Sequence, residues 1–193
     1  MDTIRAILAI PTHNKWFLYQ MVVKSTFLND ILEEEFYVDQ PPGYEVKDQD
    51  HKVYKLKKAL YGLKQAPRAW YSRIDSYLIK NVFNRSENEP TLYVKIDPPG
   101  NILLVCIYVD DMIYTGNMML EEFKASVQKE FEMTNMDLMK YFLGLEVDQS
   151  EQGIFICQHK YAIDILKRLR MDKYKPTYTP LQQEQSWVSR IMD

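Results

Sequence analysis

The chain has 193 residues, enough for one folded domain, and 46% of them are hydrophobic, which excludes an intrinsically disordered protein. Its longest uninterrupted apolar run, residues 102–109, is far too short to cross a membrane. No basic segment followed by an apolar core opens the sequence, and two cysteines cannot build a disulfide framework. We therefore expect an intracellular protein, cytoplasmic or nuclear, without a signal peptide or a membrane segment.

The formal net charge is −3, but the basic residues are concentrated between residues 52 and 80. This stretch has a net charge of +7, and the rest of the chain has −10. Cations neutralise phosphates and aromatic rings stack on bases, so the pattern is typical of a nucleic-acid-binding surface. Composition alone leaves open a solvated helix face whose lysine stems lie along apolar surface. The bases and aromatics concerned are Lys52, Lys55, Lys57, Lys58, Lys64, Arg68, Arg73, Lys80, Tyr54, Tyr61, Trp70, Tyr71 and Tyr77.

The first half of the chain predicts a helix, a strand and a second helix. Thr3 is a candidate N-cap for a short amphipathic helix that Pro11 would end. Residues 16–23 are mostly aromatic or aliphatic, with few polar residues among them, which predicts a strand buried on both faces. A turn-rich loop covers residues 39–44. Apolar residues at helical spacing then predict an amphipathic helix over residues 66–80.

The second half of the chain begins with its most regular pattern. Apolar runs at residues 102–109 and 112–114 flank Asp110 and Asp111, which predicts a β-hairpin with two acids at its tip. Adjacent carboxylates repel each other and are costly to desolvate, which favours a bound cation such as Mg²⁺. A simple turn is the alternative, because Asp is common in turns.

The remaining pattern completes the predicted fold. Asn117 is a candidate N-cap for a helix that extends to residue 131. Residues 141–147 are predicted to pair with residues 154–158 as a second hairpin, and a last helix follows over residues 162–169. This order predicts an α+β protein with an antiparallel sheet and helices on one face.

Several of these segments are similar to one protein family. Residues 108–111, Tyr-Val-Asp-Asp, resemble the catalytic tetrad of reverse transcriptases, whose hairpin carries two of three catalytic aspartates. Residues 54–70 resemble the most recognisable block of the copia-type retrotransposon enzymes, and residues 141–147 resemble their primer-grip hairpin. The strand with the third aspartate is matched by residues 20–29, and the segments after it are matched by residues 32–35 and 40–44. The similarity spans roughly the first 180 residues in the same order.

The resemblance implies the palm of a right-hand polymerase and an RNA-directed DNA polymerase activity. Such a nucleotidyltransferase acts on an RNA or DNA template with a primer and on deoxynucleoside triphosphates. Asp110 and Asp111 would help to hold two Mg²⁺ ions that activate the primer 3′-hydroxyl and stabilise the leaving pyrophosphate.

The resemblance also implies binding roles outside the acidic hairpin. Phe27 matches an aromatic residue that excludes a ribose 2′-hydroxyl, although a core phenylalanine is an equal alternative. Lys64 and Gln65 match the turn that grips the incoming nucleotide. The residues implied to contact template and primer are Pro67, Arg68, Phe142, Leu143 and Gly144.

The chain departs from the family pattern at Val22, where the third catalytic aspartate is expected. We therefore expect a degenerate, inactive reverse transcriptase, or alternatively a non-catalytic nucleic-acid-binding remnant of a transposable element. Family members begin earlier, and the similarity ends after Pro180, so we expect the fingers and the thumb to be incomplete. The predicted divisions are partial fingers and palm in 1–147, the second primer-grip strand and the start of the thumb in 148–180, and a disordered tail in 181–193.

Overall fold

The structure is a computed structural model that describes residues 2–24, 26–29, 31–49 and 51–175, so the predicted tail lies outside it. Its helices are α1 (Asp2–Asn14), α2 (Ala66–Lys80), α3 (Leu120–Glu130) and α4 (His159–Arg168), with a 3₁₀ turn at Thr26–Asn29. The strands are β1 (Tyr19–Val23), β2 (Ile31–Val38), β3 (Tyr54–Lys58), β4 (Asn84–Arg85), β5 (Leu92–Ile96), β6 (Ile102–Tyr108), β7 (Asp111–Gly116), β8 (Met133–Leu138), β9 (Tyr141–Phe142), β10 (Leu145–Ser150) and β11 (Gly153–Cys157).

The chain divides into two compact units. The first contains the described residues of 2–140 and 147–155, and the second contains residues 141–146 and 156–175. The first unit is built on a six-stranded sheet in the order β4-β5-β6-β7-β1-β8, in which every neighbouring pair is antiparallel. The predicted α+β class with an antiparallel sheet is therefore confirmed.

Two helices share one face of the six-stranded sheet. The side chains of Met21 and Met112 from neighbouring strands belong to one buried cluster with Trp70 of α2 and Phe123 of α3. Alternate strand residues point to opposite faces, so α2 and α3 cover the same face, as predicted for these two helices. The opposite face is not left to solvent, because Thr115 and its neighbour Ile113 are also buried.

The helix predicted over residues 66–80 coincides with α2. Its buried residues Ala66, Trp70, Ile74 and Leu78 recur every fourth position, which is the spacing that places one stripe of a helix against a core. Pro67 lies in the first turn, where the missing backbone N–H would have had no helical partner.

The predicted end of the first helix and its cap are wrong. Thr3 lies inside α1, and the helix continues through Pro11 to Asn14. Side chains donate to carbonyl groups in this last turn: the Thr12 hydroxyl bonds the Leu8 carbonyl at 2.9 Å, and the Asn14 amide bonds the Ile10 carbonyl at 2.9 Å. These bonds add to the backbone bonds that the proline weakens.

The predicted cap of α3 is also wrong. Asn117 accepts a hydrogen bond from the Ile102 amide at 2.7 Å and so fastens the open end of the β6–β7 hairpin. The residue before the helix is Met119, whose φ of 66° is left-handed and whose side chain makes no capping bond.

Two strand predictions need correction. The predicted strand 16–23 begins only at Tyr19, and it is half-buried at Tyr19 and Val22. The segment 141–147 is interrupted by a turn at Leu143 and Gly144, where φ is 48° and 82°. The turn at residues 151–152 between β10 and β11 lies where the second hairpin was predicted. Strands β2, β3, β4, β5 and β8 were not predicted.

The second unit contains β9, the beginning of β10, and α4. Phe142 pairs with Leu145, and Tyr141 pairs with Glu146. No residue of α4 is buried, although its sequence is strongly amphipathic. Among the described residues, no helix is long and apolar enough to cross a membrane.

Gly116→Ala should destabilise the first unit, because β7 and β6 are too close at this position for a side chain. A Cβ on Gly116 would overlap the Ile102 carbonyl oxygen and lie 3.1 Å from the Leu103 Cα. We expect a loss of ~2 to 3 kcal/mol in the free energy of unfolding, measured by urea denaturation. Gly153→Ala is a comparison for backbone strain alone, because an alanine there would have to adopt φ 147° while nothing lies within 4 Å of its Cβ. A free energy of unfolding for Gly116→Ala equal to that of the natural chain would contradict the packing account.

Candidate active site

The acidic hairpin is formed by β6 and β7, with Val109 and Asp110 in the turn between them. Tyr108 pairs with Asp111, so Asp111 is the first residue of β7 and only Asp110 is in the turn itself. The prediction placed both acids at the tip of the hairpin, whereas the structure has one acid in the turn and the other in the strand. Val109 has a left-handed φ of 56°, an uncommon conformation for a β-branched residue.

The core supports this strained turn. Trp70 of α2 is 3% exposed, and its indole Nε1 donates to the Val109 carbonyl oxygen at 2.7 Å. Its ring also contacts Phe131 edge-to-face, with centroids 5.5 Å apart. A residue in a sparsely populated backbone region persists only where its surroundings hold it, and the buried indole supplies that restraint.

Val22 lies directly beside the acids. Strand β1 is antiparallel to β7, and Val22 is the Cα partner of Asp111. The Val23 amide also donates to the Asp110 carbonyl at 2.9 Å. Directly paired residues of an antiparallel ladder share a face of the sheet, with Cα atoms about 4.5 to 5.5 Å apart. The strand that the resemblance matches to the third aspartate therefore lies next to the acidic hairpin.

Gln20 is a site residue that the sequence analysis missed. It is 8% exposed, and its Nε2 donates to Asp111 Oδ1 at 2.8 Å. Because side chains alternate along a strand, Gln20 and Val22 point to the same face as Asp111. A polar residue two positions before Val22, inside an otherwise apolar strand, was the available signal.

The electrostatic environment of Asp111 disfavours its charged form. Burial raises the pKa of Asp111, the hydrogen bond from Gln20 lowers it, and the charge of Asp110 raises it further. The net direction is upward. Ionised Asp111 is therefore a charge that the fold holds at a cost in solvation.

The acidic hairpin offers only some of the ligands that a bound metal ion needs. Carboxylate oxygens are suitable ligands for hard divalent cations, and Asp110 and Asp111 are adjacent. Within the part of the chain that the structure describes, no group of three His, Cys, Asp or Glu residues could hold a metal ion. The position beside Asp111 on the neighbouring strand is an aliphatic side chain.

Phe27 lies in the 3₁₀ turn after β1 and is 9% exposed within the buried cluster. Its ring contacts Tyr61 edge-to-face, with centroids 4.9 Å apart. These contacts are those of a core phenylalanine, and they also join the end of β1 to the basic segment.

The basic segment is divided between the core and the surface. Lys64, Pro67 and Arg68 are exposed around the start of α2, and the Gln65 carbonyl accepts from the Ala69 amide at 3.0 Å. Other members are engaged elsewhere: Lys55 bonds Glu35, Arg73 lies 5.0 Å from the Phe131 ring centre, and Trp70 is core. The surface available to phosphates is therefore smaller than the sequence suggested.

Phe142, Leu143 and Gly144 belong to the second unit, where Phe142 ends β9 and Leu143 and Gly144 form the turn to β10. Phe142 is buried, and Leu143 is exposed with a left-handed φ. Gly144 also has a left-handed φ, which glycine adopts without strain.

An α+β domain with two adjacent aspartates at the end of a hairpin agrees with the polymerase class anticipated from the sequence. The family model for reverse transcriptase (RNA-dependent DNA polymerase) matches residues 1–183, and the chain belongs to this family. Members generally use divalent metal ions and act on nucleic-acid templates with deoxynucleotide substrates.

Individual relatives agree with the resemblance to copia-type retrotransposon enzymes. The chain is 35% identical to a retrovirus-related Pol polyprotein from transposon TNT 1-94 of Nicotiana tabacum, over 94% of this chain and 14% of the relative. It is 36% identical to the Pol polyprotein from transposon RE2 of Arabidopsis thaliana, over 93% of this chain and 12% of the relative. The chain is 33% identical to a putative transposon Ty5-1 protein of Saccharomyces cerevisiae, over 83% of this chain and 53% of the relative. The chain thus spans a small part of the plant relatives. No solved structure matches it significantly.

Asp111→Asn should stabilise the protein at neutral pH, because it removes a charge that burial disfavours. A carboxyl group whose folded pKa is raised binds more protons in the folded state, so stability falls as the pH rises through the unfolded and then the folded pKa. We expect a higher melting temperature for the variant at pH 7, with a gain that shrinks as the pH falls toward the ordinary Asp value of 3.8. Asp148→Asn, at an exposed position, is the charge-matched control. Equal melting temperatures of the wild type and Asp111→Asn at pH 7 would contradict this account.

Proposed function

We propose that the chain is the palm of a copia-type reverse transcriptase in which DNA synthesis has been lost at Val22. The observation that carries this proposal is the direct pairing of Val22 with Asp111 across β1 and β7. In the family that the chain resembles, the position that matches Val22 holds the third catalytic aspartate. We include the activity, the substrates and the partners of the longer relatives in this proposal for the chain.

The residues present do not fit a site for two Mg²⁺ ions. Such a site in this family takes three carboxylates, and here Asp110 and Asp111 supply two, while Val22 has no oxygen to offer. Two aspartates compensate only half of the charge of two divalent ions. Losing a ligand shared by both ions removes about 4 kcal/mol of transition-state stabilisation, roughly a thousandfold in rate. We therefore assign no catalytic step to this chain.

The substitution is compatible with the fold. Valine is among the residues that suit a pleated, half-buried strand, and Val22 is half-buried within β1. The ladder contacts on both sides of it are complete, with Asp111 on one side and Thr134 on the other. Valine in place of aspartate therefore removes a metal-binding carboxylate and keeps the strand pairing of the sheet.

We propose nucleic-acid binding as the function that survives. The support is the exposed basic turn at the start of α2, where Lys64 and Arg68, four residues apart in the sequence, are both exposed and Tyr61, three residues before Lys64, is 58% exposed. Cations that neutralise phosphates give weak, sequence-independent and salt-sensitive binding.

The remaining assignments follow the family pattern and complete the proposal. Residues 1–147 supply partial fingers and palm, and residues 148–180 supply the second primer-grip strand and the start of the thumb. The residues proposed for the nucleotide are Phe27, Lys64 and Gln65, and those proposed for template and primer are Pro67, Arg68, Phe142, Leu143 and Gly144.

Val22→Asp should strengthen metal binding at the acidic hairpin, where Asp110 and Asp111 alone supply two carboxylates. The new carboxylate would lie on the same face as Asp111, so we expect Mn²⁺ to bind ~10-fold more tightly or better, measured by electron paramagnetic resonance of free Mn²⁺. Val22→Asn is the matched control, since it has nearly the same size and no charge, and it should leave the affinity unchanged.

The same variants test activity in a primer-extension assay with Mg²⁺. The natural chain and Val22→Asn should give no extended primer, and any synthesis should require the aspartate. Robust extension by the natural chain would refute the loss of function, and equal Mn²⁺ affinity in all three proteins would refute the role of position 22.

Reversing the charge of the basic turn should weaken binding to a primer–template duplex. For Lys64→Glu with Arg68→Glu we expect a loss of ~10-fold or more at low salt, with a shallower dependence of the binding constant on salt, because two phosphate contacts are removed. Fluorescence anisotropy at several salt concentrations measures both quantities. Lys15→Glu with Lys129→Glu changes the net charge equally at exposed positions outside the turn. If the two double variants lose the same affinity, binding reflects only the overall charge.

A further inference from the structure

Among the described residues, six strands lie at the edge of a sheet: β2, β3, β4, β8, β9 and β11. The outer side of an edge strand has backbone N–H and C=O groups without a strand partner, and these groups can pair with another polypeptide chain. Proteins discourage such pairing by charged residues, by very short edge strands or by an irregular backbone. A strand that has none of these features is a candidate interaction site.

Five of the six edge strands are protected in this way. Strands β4 and β9 have only two residues each. Strand β2 contains three glutamates, and β3 contains three lysines. Strand β8 includes Asp137, whose φ of 58° departs from an extended backbone and whose amide donates to the side chain of Asn135 at 3.1 Å. Each of these edges is therefore a poor template for another strand.

Strand β11 has none of these features. Its five residues, Gly153–Cys157, are Gly-Ile-Phe-Ile-Cys, without a charged residue or a proline. Phe155 is 68% exposed, and Ile156 is exposed as well. Within the part of the chain that the structure describes, β10 is the strand neighbour of β11, and the other edge of β11 is open. An apolar edge with large exposed side chains is typical of a strand that a partner covers.

We propose that the outer edge of β11 is an interface between two copies of this chain, in which β11 of one copy pairs antiparallel with β11 of the other. A two-fold axis perpendicular to the sheet relates the two strands, so each copy offers the same groups that it receives. This inference does not depend on nucleic-acid binding or on the acidic hairpin.

The sequence of β11 is complementary to itself in one register. When Phe155 faces its own counterpart, Ile154 faces Ile156 of the second copy, and Gly153 faces Cys157. This register pairs all five residues of the strand, and a register centred on either isoleucine pairs fewer of them. No charged residue then faces another within the strand, and aromatic and β-branched cross-strand pairs stabilise an antiparallel ladder.

The charges on either side of β11 favour the antiparallel direction. Antiparallel pairing brings the turn before β11 in one copy close to the start of α4 in the other. This turn contains the exposed Glu151, and the first turn of α4 contains the exposed Lys160. Opposite charges therefore approach each other at both ends of the pair, whereas parallel pairing would bring like charges together. The match between the two ends of one segment favours a second copy as the partner.

A charge at the centre of the interface should separate the two copies. In sedimentation velocity, the natural chain should form dimers that dissociate on dilution, and Phe155→Lys should be monomeric over the same concentrations, because two like charges would face each other. Phe155 is exposed, so the variant should fold, which circular dichroism checks.

Ile96→Lys is the matched control for this variant. Ile96 is 60% exposed, but it lies in β5, which has β4 and β6 as neighbours, so the variant should dimerise as the natural chain does. A natural chain that stays monomeric at every concentration would overturn the inference, and so would dimers of Phe155→Lys as stable as those of the natural chain.

A disulfide between the copies tests the register directly. In a Cys157→Ser background, Phe155→Cys should be linked to its counterpart on mild oxidation, since directly paired Cβ atoms lie about 4.5 to 5.5 Å apart. The remaining Cys106 is buried. Ile96→Cys in the same background should stay unlinked. Non-reducing electrophoresis measures the linked fraction, and equal fractions for the two variants would overturn the pairing centred on Phe155.

Discussion

The antiparallel pairing of β1 with β7 is the interaction on which the arrangement around the acids depends. Its register places Met21 opposite Met112 on the face covered by helices, and both side chains are fully buried. A slip of one residue would turn these methionines toward the other face and bring Gln20 and Val22 into the apolar cluster. Hydrophobic packing on one face therefore fixes which side chains meet Asp111 on the other.

Helix α2 connects the two regions that the proposed function needs. Lys64, just before the helix, and Arg68, in its first turn, are exposed, and Trp70, two residues after Arg68, is buried in the core. The indole then bonds the backbone of Val109 in the acidic hairpin. One helix is thus continuous with the basic turn and bonded to the backbone of the acidic hairpin.

The sequence predicted the elements whose patterns are local. Helix α2 and the β6–β7 hairpin were found because apolar residues recur at one clear period in each. Gln20 was missed because its partner is distant in sequence, and Trp70 was counted with the stacking aromatics because composition does not distinguish a buried ring from an exposed one. Val22 is an ordinary strand residue by every local rule, and only the family resemblance made its position significant.

Valine at position 22 also bears on the charge that the metal-free sheet must tolerate. With an aspartate there, three carboxylates would lie within a few ångströms, and each would raise the cost of ionising the others unless cations were bound. Valine brings no such charge, and the Gln20 amide donates to the partly desolvated Asp111. Under the proposed loss of the third ligand, the same side chain would therefore remove a metal ligand and lower the charge repulsion at the metal-free acidic hairpin.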